Sequence, residues 1–455
     1  MKKSLSALVA SILVLTLAAG CTSSNNATPA STDTAAPGTE APGKKPDSGT
    51  AEITMITLSD WDKHGLNDVI AGFEKQNPGI KVKLEMYPFR QLFETIEVKL
   101  GSKSKEYDVV TIDGPLVSNY SAKGYVDPLE PLLSSRDWQS KWIESSIQAG
   151  TYNGKLMAAP MNTSSQVLYY NKDIFAKKGI APPSFDIDKR WTWEQIIDAA
   201  KQLTYDTNGD GQNDIFGFSF EQIGRAYQML ALSESLGAKP LSGSGLTATG
   251  FVNSEKSLQA AKFYSDLYNT WKVSPKITAE ESGDFFATGK VAMFVGGTWN
   301  TGKFNEAKVN YGIAPHPFFA GQKIATPTGS WHVGVSKYSA KKEAAAKFID
   351  YLTVGEGSKI WFNGNHDLPS NNDILKMIND DKKYDQFPDN IYRIATYEAQ
   401  HTAVPRPVTP GFLEFESLFN KAYDDIKNGT DPKKALDDIA VQMDRQLKKY
   451  ESLAK

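Results

Sequence analysis

The run Asp206-Thr207-Asn208-Gly209-Asp210-Gly211-Gln212-Asn213-Asp214 puts oxygen-bearing side chains at its first, third, fifth and ninth positions and glycine at its sixth. A hard cation such as calcium wants such a crowd of oxygens, whose mutual repulsion it relieves. Asp206, Asn208, Asp210, Gln212 and Asp214 are the candidate ligands of a structural calcium ion. The twelfth position is Gly217 where a bidentate glutamate belongs, so a distant carboxylate would have to complete the shell. The same residues also suit a metal-free Asx turn. A second constellation is Val291–Val295, an apolar strand pattern running into Gly296-Gly297-Thr298-Trp299. Glycines let a ligand approach the backbone, and a tryptophan beside them is either a stacking surface or a core residue. The third is Cys21, the only cysteine of 455 residues, which closes Leu17-Ala18-Ala19-Gly20-Cys21. One thiol excludes a disulfide framework and a thiolate metal cluster. No GxxxxGK[ST], HExxH or GxSxG run occurs, so no catalytic signature is present.

The elements that must carry these residues follow from periodicity. Ile53–Leu58, Ile80–Leu84 and Tyr107–Ile112 read as strands. Between them, Leu66, Val69, Ile70 and Phe73, then Leu92, Phe93, Ile96 and Leu100, recur at helical spacing. Asn77-Pro78-Gly79 stops the first of these helices, and Thr192-Trp193-Glu194-Gln195 has the form of a capping box. Alternating strands and helices predict an α/β fold with a parallel sheet, which binds ligands beyond the carboxyl ends of its strands. Asp60, Trp61 and Asp113 stand at such ends and become candidate binding residues. Trp138, Trp142, Trp191, Trp193, Trp271 and Trp361 occupy helical or capping contexts and read as packing.

A chain of this length exceeds a single core and should divide. Its formal charge of −3 argues against a nucleic-acid partner. Lys2 and Lys3 followed by the apolar run Leu5–Ala19 form an export signal, too short to span a bilayer. Residues 22–50 hold no Val, Ile, Leu, Met or aromatic residue, so they are expected to form a disordered tether.

The motifs YDVVTIDG, KGYVDPLEPLL, YNGKLMAAP, LYYNKDIFAKKGI, WTWEQI, GKVAMFVGGTW and GSWHVGVSKYSAKKEAAAKFIDYL, in this order, resemble extracellular solute-binding proteins of family 1, the sugar-binding components of ABC importers. Leu17–Cys21 likewise resembles a bacterial lipoprotein signal, in which the cysteine becomes a lipidated amino terminus, palmitate included. The resemblance implies a two-lobed fold of the type II periplasmic binding kind, with discontinuous lobes joined by hinge crossings near Met161–Ser165, Thr326–Gly329 and Pro369–Asn371. It divides the chain into signal 1–20, tether 21–50, lobe one 51–160 plus 329–368, and lobe two 165–325 plus 371–455. It also implies that Trp299 stacks on a sugar and that Trp331, Ser164 and His332, at the crossings, line the cleft. Thr163-Ser164-Ser165 stands where maltose-binding members carry an acidic residue, so the sugar is expected to differ. The whole reading is a monomeric, non-enzymatic, lipid-anchored receptor at the outer face of the membrane, binding a carbohydrate and serving a permease, with no required cofactor. A glycoside hydrolase with two facing carboxylates, or a lipoprotein that only contacts cell-wall polymer, are the alternatives.

Overall fold

The structure, a computed structural model, describes residues 51–134, 137–221 and 227–453. The signal, Cys21 and the whole of the tether lie outside them. Among the described residues no helix is long and apolar enough to cross a membrane.

Along the chain the strands are β1 (Ala51–Leu58), β2 (Ile80–Tyr87), β3 (Val109–Asp113), β4 (Thr151–Tyr152), β5 (Lys155–Leu156) and β6 (Ala159–Pro160). They continue as β7 (Ser164–Asn171), β8 (Phe216–Phe220), β9 (Val291–Gly297), β10 (Tyr311–Ala314), β11 (Thr326–Gly329), β12 (Trp331–Val335) and β13 (Ala403–Val404). Two sheets collect them. The first has the order β2-β1-β3-β12-β6; the second runs β13-β11-β7-β9-β8, with β10 also on β7. Helices α1 (Asn67–Gln76), α2 (Phe89–Gly101) and α3 (Leu116–Ala122) belong with the first.

Side-chain alternation explains the layering. Ile53, Met55 and Val109 meet Val69 and Phe73 of α1 and Phe348, Ile349 and Leu352 of the helix Lys342–Thr353. Ile56, Val110 and Ile112 instead share a cluster with Leu92, Ile96 and Leu100 of α2. The period-2 strand thus feeds two helical layers, and each buried aliphatic or aromatic side chain is worth roughly 1.5–3 kcal/mol.

The expected parallel sheet is present only in part. β1 is parallel to both β2 and β3, but β12 runs antiparallel to β3 and β6. β12 enters this sheet directly from β11 of the other one, so its direction is set by that crossing and not by a helical return. The second sheet centres on β7, which is antiparallel to β9, β10 and β11. Neighbouring crossings hold one another. Met161 N donates to Trp331 O, Thr163 N donates to Leu368 O, and the hydroxyls of Thr163 and Thr328 lie 3.1 Å apart.

Trp142, Trp193 and Trp361 are fully buried. Trp138 lies against Trp142 at 6.0 Å, Trp191 against Phe175 at 6.5 Å, and Trp271 against Phe263 at 5.6 Å. All six are packing residues. The Thr192 capping box is closed both ways: Thr192 N donates to Gln195 Oε1, and Gln195 N to Thr192 Oγ1.

Candidate functional site

A cleft of about 290 Å³ opens where strand ends of both sheets meet. Leu58, Asp113 and Trp331 reach it from β1, β3 and β12, and Phe89 from the start of α2. Ser164 comes from the start of β7, Trp299 from just after β9, and Arg406 from just after β13. Asn162, Gly329, Ser330 and Asp367 line it from the crossings themselves.

Trp299 is 40% exposed, unusually open for an indole, yet its Nε1 edge is tied down. Its Nε1 donates to Glu221 Oε1 at 2.8 Å, while Gly297 N donates to Glu221 Oε2 at the same distance. Burial pushes the Glu221 carboxyl up, and the hydrogen bonds from Gly297, Asn300 and Trp299 oppose that rise. A Cβ at position 297 would lie 2.1 Å from the Trp299 ring, so the indole can fold back over the strand end only because Gly297 is glycine. Tyr227 stacks beside it, with centroids 6.4 Å apart at 30°.

Trp331 faces the cleft from the other lobe. Phe93 stacks behind it at 6.2 Å and 17°, and Trp61 meets it edge-on at 5.4 Å. Asn162 Oδ1 accepts its backbone N–H at 3.1 Å. The register sets Trp331 opposite Asp113. Arg406 grips that carboxylate with both ends of its fork, Nη2 to Oδ1 at 2.7 Å and Nη1 to Oδ2 at 3.3 Å. The guanidinium also lies 5.3 Å over the Tyr227 ring. Flat aromatic faces alternating with hydroxyl, amide and carboxylate groups can hold a ligand that is itself apolar on its faces and hydroxylated on its rim.

Of the residues expected from sequence, Trp299, Trp331, Asp113 and Ser164 line this cleft. Trp61 does not: it is 8% exposed and packs between Trp331 and Trp361, bracing the first. Asp60 adopts φ 70° and pairs with Lys63 at 2.9 Å in solvent. His332 is buried, because the alternation of β12 turns it away from Trp331, and its ring Nε2 lies 3.0 Å from Ser146 O. Arg406, Asp367, Asn162, Tyr227 and Phe89 were missed. Pro405 and Pro407 around Arg406 mark a rigid extended stretch, the one signal that could have drawn attention to it.

In the loop 206–214, Asp206 accepts the backbone N–H groups of Asn208, Gly209 and Gly211 at 2.9, 2.7 and 2.7 Å. These bonds hold its carboxyl below the usual range. Asp214 accepts both N–H and hydroxyl of Thr207. Among the described residues no three His, Cys, Asp or Glu side chains are grouped to hold a metal ion.

Comparison with known proteins agrees with this architecture. Residues 62–357 match the family described as bacterial extracellular solute-binding protein. The galactooligosaccharide-binding protein of Bacillus subtilis (strain 168) is 25% identical, over 87% of this chain and 89% of that one. A maltooligosaccharide ABC transporter solute-binding lipoprotein of Streptococcus pneumoniae (strain ATCC BAA-255 / R6) is 24% identical, over 90% and 93%. An ABC substrate-binding protein from Listeria monocytogenes, solved with cycloalternan, superposes with a TM-score of 0.74 at 25% identity, covering 88% of this chain and 99% of the other.

Proposed function

Because the chain belongs to the bacterial extracellular solute-binding protein family, we propose that it captures a neutral oligosaccharide between its lobes and delivers it to the membrane subunits of an ABC importer. The fold is the two-lobed, type II arrangement of such proteins. The observation that carries the reading is the pair of cleft tryptophans, Trp299 from one lobe and Trp331 from the other, with hydrogen-bonding side chains between them. A pyranose presents apolar C–H faces to the rings and hydroxyls to the polar groups. The relatives' names add weight, since they bind galactooligosaccharide and maltooligosaccharide.

The finer parts of the proposal are a lipid, palmitate included, on Cys21, a monomeric receptor on the outer face of the membrane, and no turnover of the sugar. The Leu17–Cys21 pattern and a lipoprotein relative support the anchor. The absence of turnover is supported by the relatives, which are named as binding proteins. Calcium in the loop 206–214 is part of the proposal too, and it would have to exchange the N–H bonds that Asp206 accepts. Melting in 1 mM calcium against chelator decides: a rise of several degrees supports the ion, and coincident curves remove it.

Titration of tryptophan fluorescence with maltotriose, galactotriose and cellotriose tests the main reading. A saturable change with at least one, with no released reducing ends, is expected. Trp299→Ala should weaken that binding by about tenfold or more, about 1.4 kcal/mol. Flat titrations with all three sugars would remove the sugar reading, and released reducing ends would make the protein an enzyme.

A further inference from the structure

Asp367 differs from the other carboxylate of the cleft in what it has left to give. Both oxygens of Asp113 are engaged by Arg406. At Asp367, Oδ2 alone takes the two amide donors, Asn162 Nδ2 at 2.6 Å and Asn365 Nδ2 at 2.7 Å. Among the described residues Oδ1 accepts no hydrogen bond, and the half-buried residue lines the cleft. The neighbouring amide cannot turn away. Asn162 Oδ1 already accepts Trp331 N–H at 3.1 Å and the Ser330 hydroxyl at 2.9 Å, so its Nδ2 must face Asp367. One amide therefore fixes both the Trp331 platform and the carboxylate beside it.

We propose that Asp367 is a specificity-determining residue, whose unfilled oxygen accepts hydroxyl donors from the rim of a neutral sugar lying against Trp331. The proposal rests on the sugar-binding reading of the same cleft. A carboxylate accepts only, so it fixes the orientation of each hydroxyl it meets. Charge-assisted bonds of this kind are about twice as strong as neutral ones, and a cleft acceptor that a bound ligand shields from water without supplying its donor rejects analogues lacking that donor. Asp367 also repels an anionic sugar approaching that rim.

Burial pushes the Asp367 carboxyl up to about 6, against the pull of the Asn365 and Asn162 amides and of His64. The other ionisable groups around it are His366 next in the chain, Tyr392, whose hydroxyl donates to His366 O, and the Asp113–Arg406 pair in the same cleft. The ionised form does the accepting. Affinity is therefore present above pH 6 and declines as pH falls through it.

The probe is whichever of maltotriose, galactotriose and cellotriose binds the full chain most tightly, measured by calorimetry at pH 7.5 and 5.0. Wild-type affinity should fall about tenfold between these values. Asp367→Asn should bind about tenfold or more weakly at pH 7.5 and show no further loss at pH 5.0. Wild-type affinity in Asp367→Asn, or an unchanged pH dependence there, overturns the proposal. If Asp367→Asn does not fold, the wild-type profile and Asp367→Glu decide: a flat profile with undiminished binding by the glutamate overturns it as well. No binding of any of the three sugars by wild type removes the sugar reading itself, whereas binding that ignores Asp367 removes only this residue's role.

Discussion

At position 297 a single methyl group decides where an indole can lie. The Cβ of an alanine there would fall 2.1 Å from the Trp299 ring, far inside contact, with the indole also tied to Glu221. Gly297→Ala must swing the ring out or shift β9. The expected result is a melting free energy lower by about 1–3 kcal/mol and a weakened sugar-dependent fluorescence change; a variant that melts and binds as wild type would show that Trp299 is not held this way. His316 sets a second residue-scale test. Its ring is buried, and burial, then the nearby Arg190, push it down to about 3 against the opposing pull of the Pro317 carbonyl. The unfolded chain takes up the proton below about 6.5 while the folded chain refuses it. Stability from this group is therefore complete above pH 6.5 and declines by roughly 1.4 kcal/mol per unit as the pH falls towards 3. His316→Leu should flatten the slope of denaturant-derived stability between pH 6.5 and 5; an equal slope would refute it.

Among the elements, the capping box was legible because its chemistry is local. Thr192 and Gln195 lie three residues apart and satisfy each other's backbone wherever the helix is placed. Thr192→Ala should cost about 1 kcal/mol and lower the melting temperature by a few degrees; no change would mean that packing of Trp193 alone starts the helix. β1, β2 and β3 with α1 and α2 were legible for the same reason, period 2 and period 3.6 being written within short windows. The direction of β12 was not, since only the crossing from β11 determines it. The cleft divides along the same line. Trp299 carries a local mark in the glycines before it, and Asp113 one in the end of its strand. Asp367 carries none and Arg406 only the flanking Pro405 and Pro407, because each becomes a cleft residue only when segments far apart in sequence meet: Arg406 lies 293 residues from Asp113, and Asp367 lies 205 from Asn162. His332 was misplaced by one residue's alternation, as strand geometry gives the cleft to Trp331 and the core to its neighbour.

At the scale of the molecule, the stretch after β13 binds the lobes together. Arg406 leaves the second sheet and pairs with Asp113 at the end of a strand in the first, both side chains being less than a tenth exposed. Close by, Ser118 Oγ of α3 donates to Thr409 O at 2.8 Å and Asn119 Nδ2 to Pro410 O. These neutral bonds survive loss of the guanidinium, so the ion pair can be tested apart from them. Leaving the Asp113 carboxylate buried without Arg406 would cost several kcal/mol. Besides taking up a proton, which neutral pH opposes, the molecule can lower that cost if the lobes part and water reaches the carboxylate. A ligand touching both lobes favours the closed arrangement by its differential affinity, so it must then supply what the ion pair supplied before. Arg406→Gln should accordingly have a larger radius of gyration than wild type in small-angle scattering without sugar, return to the compact value at saturating sugar, and bind more weakly by the work of closing. Raising salt should move wild type little, since a buried pair is poorly screened. Identical scattering curves for Arg406→Gln and wild type without sugar would show that the hinge crossings alone set the angle between the lobes, and that the pair only orders the cleft.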